Sequence, residues 1–260
     1  MVDDDRSTDS TGPAHSEVRS VTRAAALLGQ FTEIHPRRHI RELATLTGLP
    51  RTTVLRLLST LESESLVAQV GEGVYQIGAG ALRWLDVVQN SWRLSDEAHG
   101  VLEGLRDDTG ESANVYVRQS RFRVSIGQAE GHWTVRSVVP LGAPLPIHQG
   151  ASGLVLLAGL SDWTSHVEHE FASDETLGRR IATARETGYA ISHGERESGA
   201  SAVAAPIIRA GQVAAALSLS GPTSRFTSAV VPHHLELVRS CADRLSAQGI
   251  GPVESLLLPS

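Results

Sequence analysis

The most constraining feature of the sequence is a turn that joins two short amphipathic helices. Ile40, Leu43 and Ala44 fall on one face of a helix over about 39–46. Thr47-Gly48-Leu49 then breaks the pattern, where glycine adopts positive φ without steric penalty. Pro50 suits the first turn of a new helix because it has no N–H to satisfy there. Val54, Leu57, Leu58 and Leu61 follow at i, i+3, i+4 and i+7, the apolar stripe of a helix that buries one side. Upstream, Val21, Ala25, Leu28 and Phe31 predict a helix over about 19–32, and Pro36 separates it from the next. Downstream, the β-rich runs Leu66–Val70 and Val74–Ile77 flank Gly71-Glu72-Gly73, a hairpin turn signal. Three helices with a tight turn before the third, then a hairpin, predict a winged helix-turn-helix.

Charge points to the partner of that module. Residues 34–58 hold Arg37, Arg38, Arg41, Arg51 and Arg56 against Glu42 alone, a local excess of four positive charges in a chain of net charge −6. Residues 1–17 carry Asp3, Asp4, Asp5, Asp9 and Glu17 against Arg6 amid Ser, Thr, Gly and Pro, and predict a disordered acidic tail. A basic island in an acidic protein is an electrostatic footprint for an anionic partner, here double-stranded DNA. On the third helix the face opposite the stripe carries Arg51, Thr52, Leu55, Arg56 and Ser59. Arg51 and Arg56, five residues apart, lie about 140° around the axis and flank that face. Either suits guanine O6/N7 or a phosphate. Thr52 and Thr53 sit in the first turn, where hydroxyls and free amides bind phosphate. Leu55 suits contact with a thymine methyl or a neighbouring element, and Arg37 and Arg38, just before the second helix, are phosphate candidates.

Composition removes most catalytic alternatives. All 23 basic residues are arginine, which excludes Schiff-base and PLP lysines, a Walker-A loop and a Ser-x-x-Lys site. No cofactor is expected. Cys241 is the single cysteine, so no internal disulfide or CxxC site can form, in keeping with a reducing cytosol. No run reaches the roughly 18 apolar residues of a membrane span, and the acidic N-terminus lacks the features of a secretory signal. Gly150-Ala151-Ser152-Gly153-Leu154 misses the nucleophile elbow because position 154 is leucine. His166-Val167-Glu168-His169-Glu170 lacks the His-Glu-x-x-His spacing of zinc enzymes and reads as an exposed polar helix face. His233 and His234 have no evident partner. No catalytic or metal-ligating set assembles, which leaves a small-molecule hydrolase or other enzyme as the alternative reading of the C-terminal half.

Beyond Gly78 a helical pattern runs to about Arg106, interrupted near Asn90-Ser91 and Leu94-Ser95-Asp96, with Ser95 as the cap of a second helix. Residues 79–95 are expected to connect two domains, with Trp84 and Trp92 supplying part of a dimer contact. The expected division is 1–17 tail, 18–78 DNA-binding domain, 79–95 connector, 96–248 second domain and 249–260 tail. Strands are predicted at Ser112–Arg118, Arg121–Ala129, Thr134–Val139, Ala202–Ile208 and Val213–Ser220, with helices over about 150–160, 174–187 and 227–247. The pattern is that of an α+β domain with an antiparallel sheet. Pro146 to Gly153 leads into an apolar helix whose bare N-terminal amides suit a carboxylate. Ser218 and Ser220 alternate with Leu217 and Leu219, so both hydroxyls share one face of a strand. Apolar walls with converging hydroxyls describe a small-molecule site.

The stretch from Ser20-Val21-Thr22-Arg23-Ala24 through Gly48-Leu49-Pro50-Arg51-Thr52-Thr53-Val54-Leu55-Arg56-Leu57-Leu58 to Val74-Tyr75-Gln76-Ile77-Gly78 resembles IclR-type transcriptional regulators. Leu145-Pro146-Ile147-His148, Gly188-Tyr189, Glu195 to Gly199, Ala204-Ala205-Pro206 and Leu217 to Pro222 extend the resemblance over roughly 18–247. It implies a GAF-like sensor domain and a dimer or dimer of dimers on a palindromic operator. It further implies an effector site with anion-binding amides at Ala151 and Ser152, next to Gly153. Polar contacts then fall at Ser192, Ser218 and Ser220, with Ala202 and Leu145 lining the wall. Family members with an acidic residue at the position of Ser192, or a cysteine at that of Ala202, differ from this chain. A neutral serine-lined pocket suits a small organic acid, an aromatic acid or an uncharged amide.

Overall fold

The computed structural model describes residues 18–32 and 34–257; the acidic tail read from residues 1–17 lies outside them. Two compact units divide at Val87/Val88.

In the first unit, α1 (Arg19–Leu28), α2 (Ile40–Thr47) and α3 (Arg51–Ser63) pack around Leu27, Ile40, Leu43, Val54, Leu58 and Leu61. Helix α1 stops four residues earlier than its periodicity suggests. The amide of Gly29 closes onto the Ala25 carbonyl, and Phe31 reaches the core from outside the helix. Helix α2 begins with a reciprocal cap: the His39 ring accepts from the Arg41 amide (3.1 Å) and the His39 amide donates to Glu42 Oε2 (2.8 Å). It ends on Gly48 at φ 66°, the left-handed conformation the turn requires. The wing has three strands where the sequence suggested two. β1 (Arg37–His39) joins β2 (Val67–Gly71) and β3 (Val74–Ile77) in the antiparallel order β1-β3-β2, pairing Arg38 with Tyr75. Three residues of Arg-Arg-His carry no apolar alternation, so nothing local marks β1 as a strand.

The connector comprises a 3-10 turn at Ala79–Trp84 and α4 (Leu85–Ser91). Helix α5 (Asp96–Thr109) starts at Ser95, whose hydroxyl accepts from the Ala98 amide (3.1 Å), the cap read from the sequence.

The second unit is built on a six-stranded antiparallel sheet of order β6-β5-β4-β9-β8-β7. Its strands are β4 (Ser112–Gln119), β5 (Phe122–Ala129), β6 (Pro144–Pro146), β7 (Ala190–His193), β8 (Ala200–Arg209) and β9 (Gln212–Pro222). The helices in chain order are α6 (Gly150–Ala158), the short α7 (His169–Ala172), α8 (Glu175–Thr187), α9 (Val231–Gln248) and α10 (Glu254–Leu257). Strand alternation sorts the two cores. Val115, Val117, Leu217 and Leu219 face α5 and α9, while Tyr116 and Ala216 face α6 and α8.

Several expectations are corrected. Thr134–Val139 forms no strand; Trp133, Val135 and Val138 are exposed, and the Val135 carbonyl is taken by the Arg225 guanidinium (2.9 Å) rather than by a ladder. The 166–170 stretch is a 3-10 turn, a buried Val167 and the start of α7, not one polar helix face. The end of the chain is docked up to Leu257: Ile250 and Val253 are fully buried, the Ser95 amide donates to the Ile250 carbonyl (2.9 Å), and Arg209 pairs with Glu254 (3.0 Å). His234 is buried with its ring edge-on to Phe226 (5.0 Å). Among the described residues no helix is long and apolar enough to cross a membrane.

Candidate DNA-reading face and small-molecule pocket

Helix α3 divides as its periodicity requires. Val54, Leu58 and Leu61 are buried, and Arg51, Thr52, Leu55, Arg56 and Ser59 are exposed. Leu55 keeps 44% of its surface in solvent, so the face presents two guanidiniums, hydroxyls and one bare apolar contact. Pro50 contributes no side-chain cap, which leaves the first amides of α3 to an outside acceptor. The amide of Thr53 is not among them, because it donates to the Pro50 carbonyl (2.9 Å). Arg37 is exposed on β1 rather than placed on a helix lead-in, and Arg38 commits its Nε to the Gln30 carbonyl (3.2 Å). Arg23 of α1 joins Arg56 and Ser59 along a groove of about 750 Å³. Arg23 lay outside the basic island in the sequence, although its position on an amphipathic helix that packs on α3 was the available signal.

The second site is a cavity of about 40 Å³ at the N-terminus of α6. Six of the eight residues expected at the effector site line it: Ala151, Ser152, Ser192, Ala202, Ser218 and Ser220. They arrive from α6, β7, β8 and β9, and Ala202 stands opposite both Ser192 and Ser220 in register. Leu145 and Gly153 do not line it. Leu145 pairs with Arg123 across β5 and β6 and packs into the core beneath α6. A side chain at 153 would run into the Ile147 carbonyl, so Gly153 is the close approach that lets α6 settle.

One of the two supposed anion-binding amides, that of Ala151, already has a partner, and so does the preceding amide of Gly150. The Ala151 amide donates to Ser192 Oγ (3.1 Å) and the Gly150 amide to Glu195 Oε2 (2.9 Å). The other oxygen of Glu195 pairs with Arg180. The pocket is also not neutral, because Arg123 and Arg196 both line it. Arg123 is only 3% exposed; its Nε donates to the Gln149 carbonyl (3.1 Å) and its guanidinium lies 5.1 Å from the Tyr116 ring centre. Burial pulls its pKa below the ordinary arginine value, and the nearby Arg196 adds to that. Arg196 donates from Nη2 to Ser137 Oγ (3.3 Å). The sequence reading missed both arginines. Arg123 fell within a predicted strand, where a polar residue reads as solvent-facing. Arg196 fell in a turn.

Ser201 also borders the pocket, with its hydroxyl 2.9 Å from His193 Nδ1 and 2.8 Å from Thr223 Oγ1. A hydroxyl shared between two partners locks the strands together and lacks the third group that orients a catalytic histidine. Among the described residues no group of three or more His, Cys, Asp and Glu side chains could hold a metal ion.

A winged helix-turn-helix with an arginine-bearing third helix, continuous with a sheet domain that encloses a polar pocket, defines a DNA-binding transcriptional regulator. The chain belongs to the IclR family. Residues 20–71 match the IclR helix-turn-helix domain, and residues 87–247 match the C-terminal domain of bacterial IclR transcriptional regulators. The transcriptional repressor IclR of Escherichia coli is 32% identical over 232 residues, covering 84% of this chain and 85% of that protein. The acetate operon repressor of Salmonella typhimurium is 31% identical over the same length and coverage. Among solved structures, an IclR-family regulator from Rhodococcus sp. is 40% identical, covering 93% of this chain and 98% of its own, with a TM-score of 0.59. An IclR homologue from Microbacterium hydrocarbonoxydans, solved with 4-hydroxybenzoate, shares the fold at 20% identity and a TM-score of 0.64, covering 91% of this chain and 99% of its own. These relatives are regulators rather than enzymes.

Proposed function

We propose that the protein is a ligand-responsive repressor that binds a palindromic operator as a dimer or dimer of dimers and is controlled by a small organic acid. The exposed face of α3 carries this reading: Arg51, Thr52, Leu55, Arg56 and Ser59 form a solvated, donor-rich surface on a helix whose other side is fully committed to the core. Arg37 and Arg38 on β1 supply phosphate contacts beside it. Repression follows the two curated relatives named above, both repressors. Assembly is supported by the connector, where Leu82, Trp84, Leu85, Val87 and Val88 are all exposed; such an apolar run needs a partner surface. The effector pocket is the cavity at the start of α6. A ligand there shifts the DNA-binding equilibrium by no more than its differential affinity for the two states.

The test is a titration of the protein against its own upstream promoter DNA at two salt concentrations. Salt-dependent, saturable binding is expected. Arg51→Ala or Arg56→Ala should weaken it by about 1–3 kcal/mol where the side chain is bidentate to guanine, with specificity relaxed at that base. A phosphate-contacting arginine should instead weaken all sequences alike and lower the salt slope by about one. Binding unchanged in both variants would remove α3 as the reading element.

A further inference from the structure

The charge inside the pocket is unbalanced, and the imbalance specifies a ligand. Among the described residues Arg123 has no carboxylate within ion-pair distance, although it is almost wholly withdrawn from water. Arg196 has only Glu197, 3.6 Å away on a side chain that is 70% exposed. Glu195, the other acid near Arg123, has both oxygens engaged by Arg180 and the Gly150 amide. Two guanidiniums therefore face one small cavity, each raising the cost of the other, and among the described residues no carboxylate pairs with Arg123. A buried charge without a partner is strongly unfavourable, and a planar guanidinium presents paired donors that match a carboxylate.

The remaining walls narrow the class. Ser152, Ser192, Ser201, Ser218 and Ser220 supply hydroxyls, while Ala151, Ala200 and Ala202 supply only methyl-sized apolar surface. Tyr116 is the single aromatic ring lining the cavity, and Arg123 already covers it. Of the amides at the start of α6, that of Gly150 is taken by Glu195 and that of Ala151 by Ser192.

We infer that the pocket takes a compact dianion of the short dicarboxylate class, with one carboxylate on Arg123 and the other on Arg196. This rests on the reading of the cavity as the effector site. Arg123 is the anchor, being fixed by Gln149 and Tyr116. Arg196 discriminates the second charge, because it sits on the six-residue loop 194–199 between β7 and β8. That loop has to give way for any ligand larger than the present cavity of about 40 Å³.

The experiment is calorimetric titration of the full chain with three ligands of equal carbon count: succinate, butyrate and succinamide. Succinate should bind at least about ten-fold more tightly than butyrate, since a hydrogen-bonded charge contributes about 1.5–3 kcal/mol, and succinamide should not bind. Arg196→Gln should bring succinate down to the butyrate level. Arg123→Gln should abolish binding of both acids, and Arg123→Lys should restore part of it. The calorimetric unfolding transition of the second unit, in place in each variant without ligand, shows that the substituted unit is folded. Equal affinity for succinate and butyrate, binding of succinamide, no binding of any of the three, or indifference to Arg196→Gln overturns the dicarboxylate assignment. The site reading fails separately: it falls if a molecule that releases the promoter complex still does so at unchanged concentration with Ser218→Phe.

Discussion

Arginine plays opposite parts in the two units. In the head, Arg51 and Arg56 stand in solvent on a helix whose fold does not depend on them, ready to be desolvated by a partner. In the second unit, Arg123 is desolvated already, and Arg225 is clamped by the buried Glu111, which donates nothing and accepts from both Nε and Nη2. An exposed guanidinium contributes little to stability and much to recognition. A buried one is part of the packing and constrains whatever shares its cavity. The same residue type thus stands open to solvent in one unit and sets the polarity of the interior in the other.

The largest effect that tests this contrast belongs to the apolar core of the head. Leu58 is fully buried among Leu27, Leu43, Val54 and Leu61, and Leu58→Ala should destabilise the head by about 3 kcal/mol through lost transfer energy and a residual cavity. Differential scanning calorimetry should show the head's transition lowered and the second unit's transition in place. A uniform shift of both would mean that the two units unfold as one and that the contrast is not energetic.

Next in size is Glu111→Gln. It keeps the shape of the side chain but removes the charge facing Arg225, whose side chain is 29% exposed. Breaking a fully buried pair costs about 3–5 kcal/mol; the exposure of Arg225 reduces the expectation to about 2 kcal/mol, confined to the second unit. Promoter affinity without ligand should be unchanged.

The head was legible because its information is local. A 3.6-residue stripe, a glycine at the C-cap and a hairpin turn lie within 60 consecutive residues, and each states its own conformation. What failed there, the strand β1, is a three-residue segment held only by pairing with Tyr75 and its neighbours. The pocket was legible where a strand's alternation carried it, at Ser218 and Ser220, and where family resemblance supplied Ser192 and Ala202. Its charge was not legible. Arg123 is buried where the first turn of α6, at Gly150 and Gly153, closes against its guanidinium, and no pattern within Phe122–Ala129 shows that event. Partners 26 and 45 residues apart, Arg123 with Gln149 and Gly150 with Glu195, decide which groups remain free for a ligand.

The smallest effect concerns proton linkage, and again only the second unit should show it. His234 is buried on α9 against Phe226, with Nδ1 unpartnered among the described residues. Burial pushes its pKa below the ordinary value, aided by His233 and opposed by Glu111. The folded form therefore resists a proton that the unfolded chain accepts near pH 6.5. Its contribution is complete above about pH 6.5, declines as pH falls below that, and levels off once the folded histidine is itself protonated. His148 and His166 are shifted the same way, chiefly by burial, so His234→Gln should reduce the acid-side loss of stability without abolishing it. Chemical unfolding of the second unit at pH 5 and pH 7.5, wild type against variant, measures the difference. An identical pH dependence would show that His234 takes up its proton as readily in the folded state as in the unfolded one.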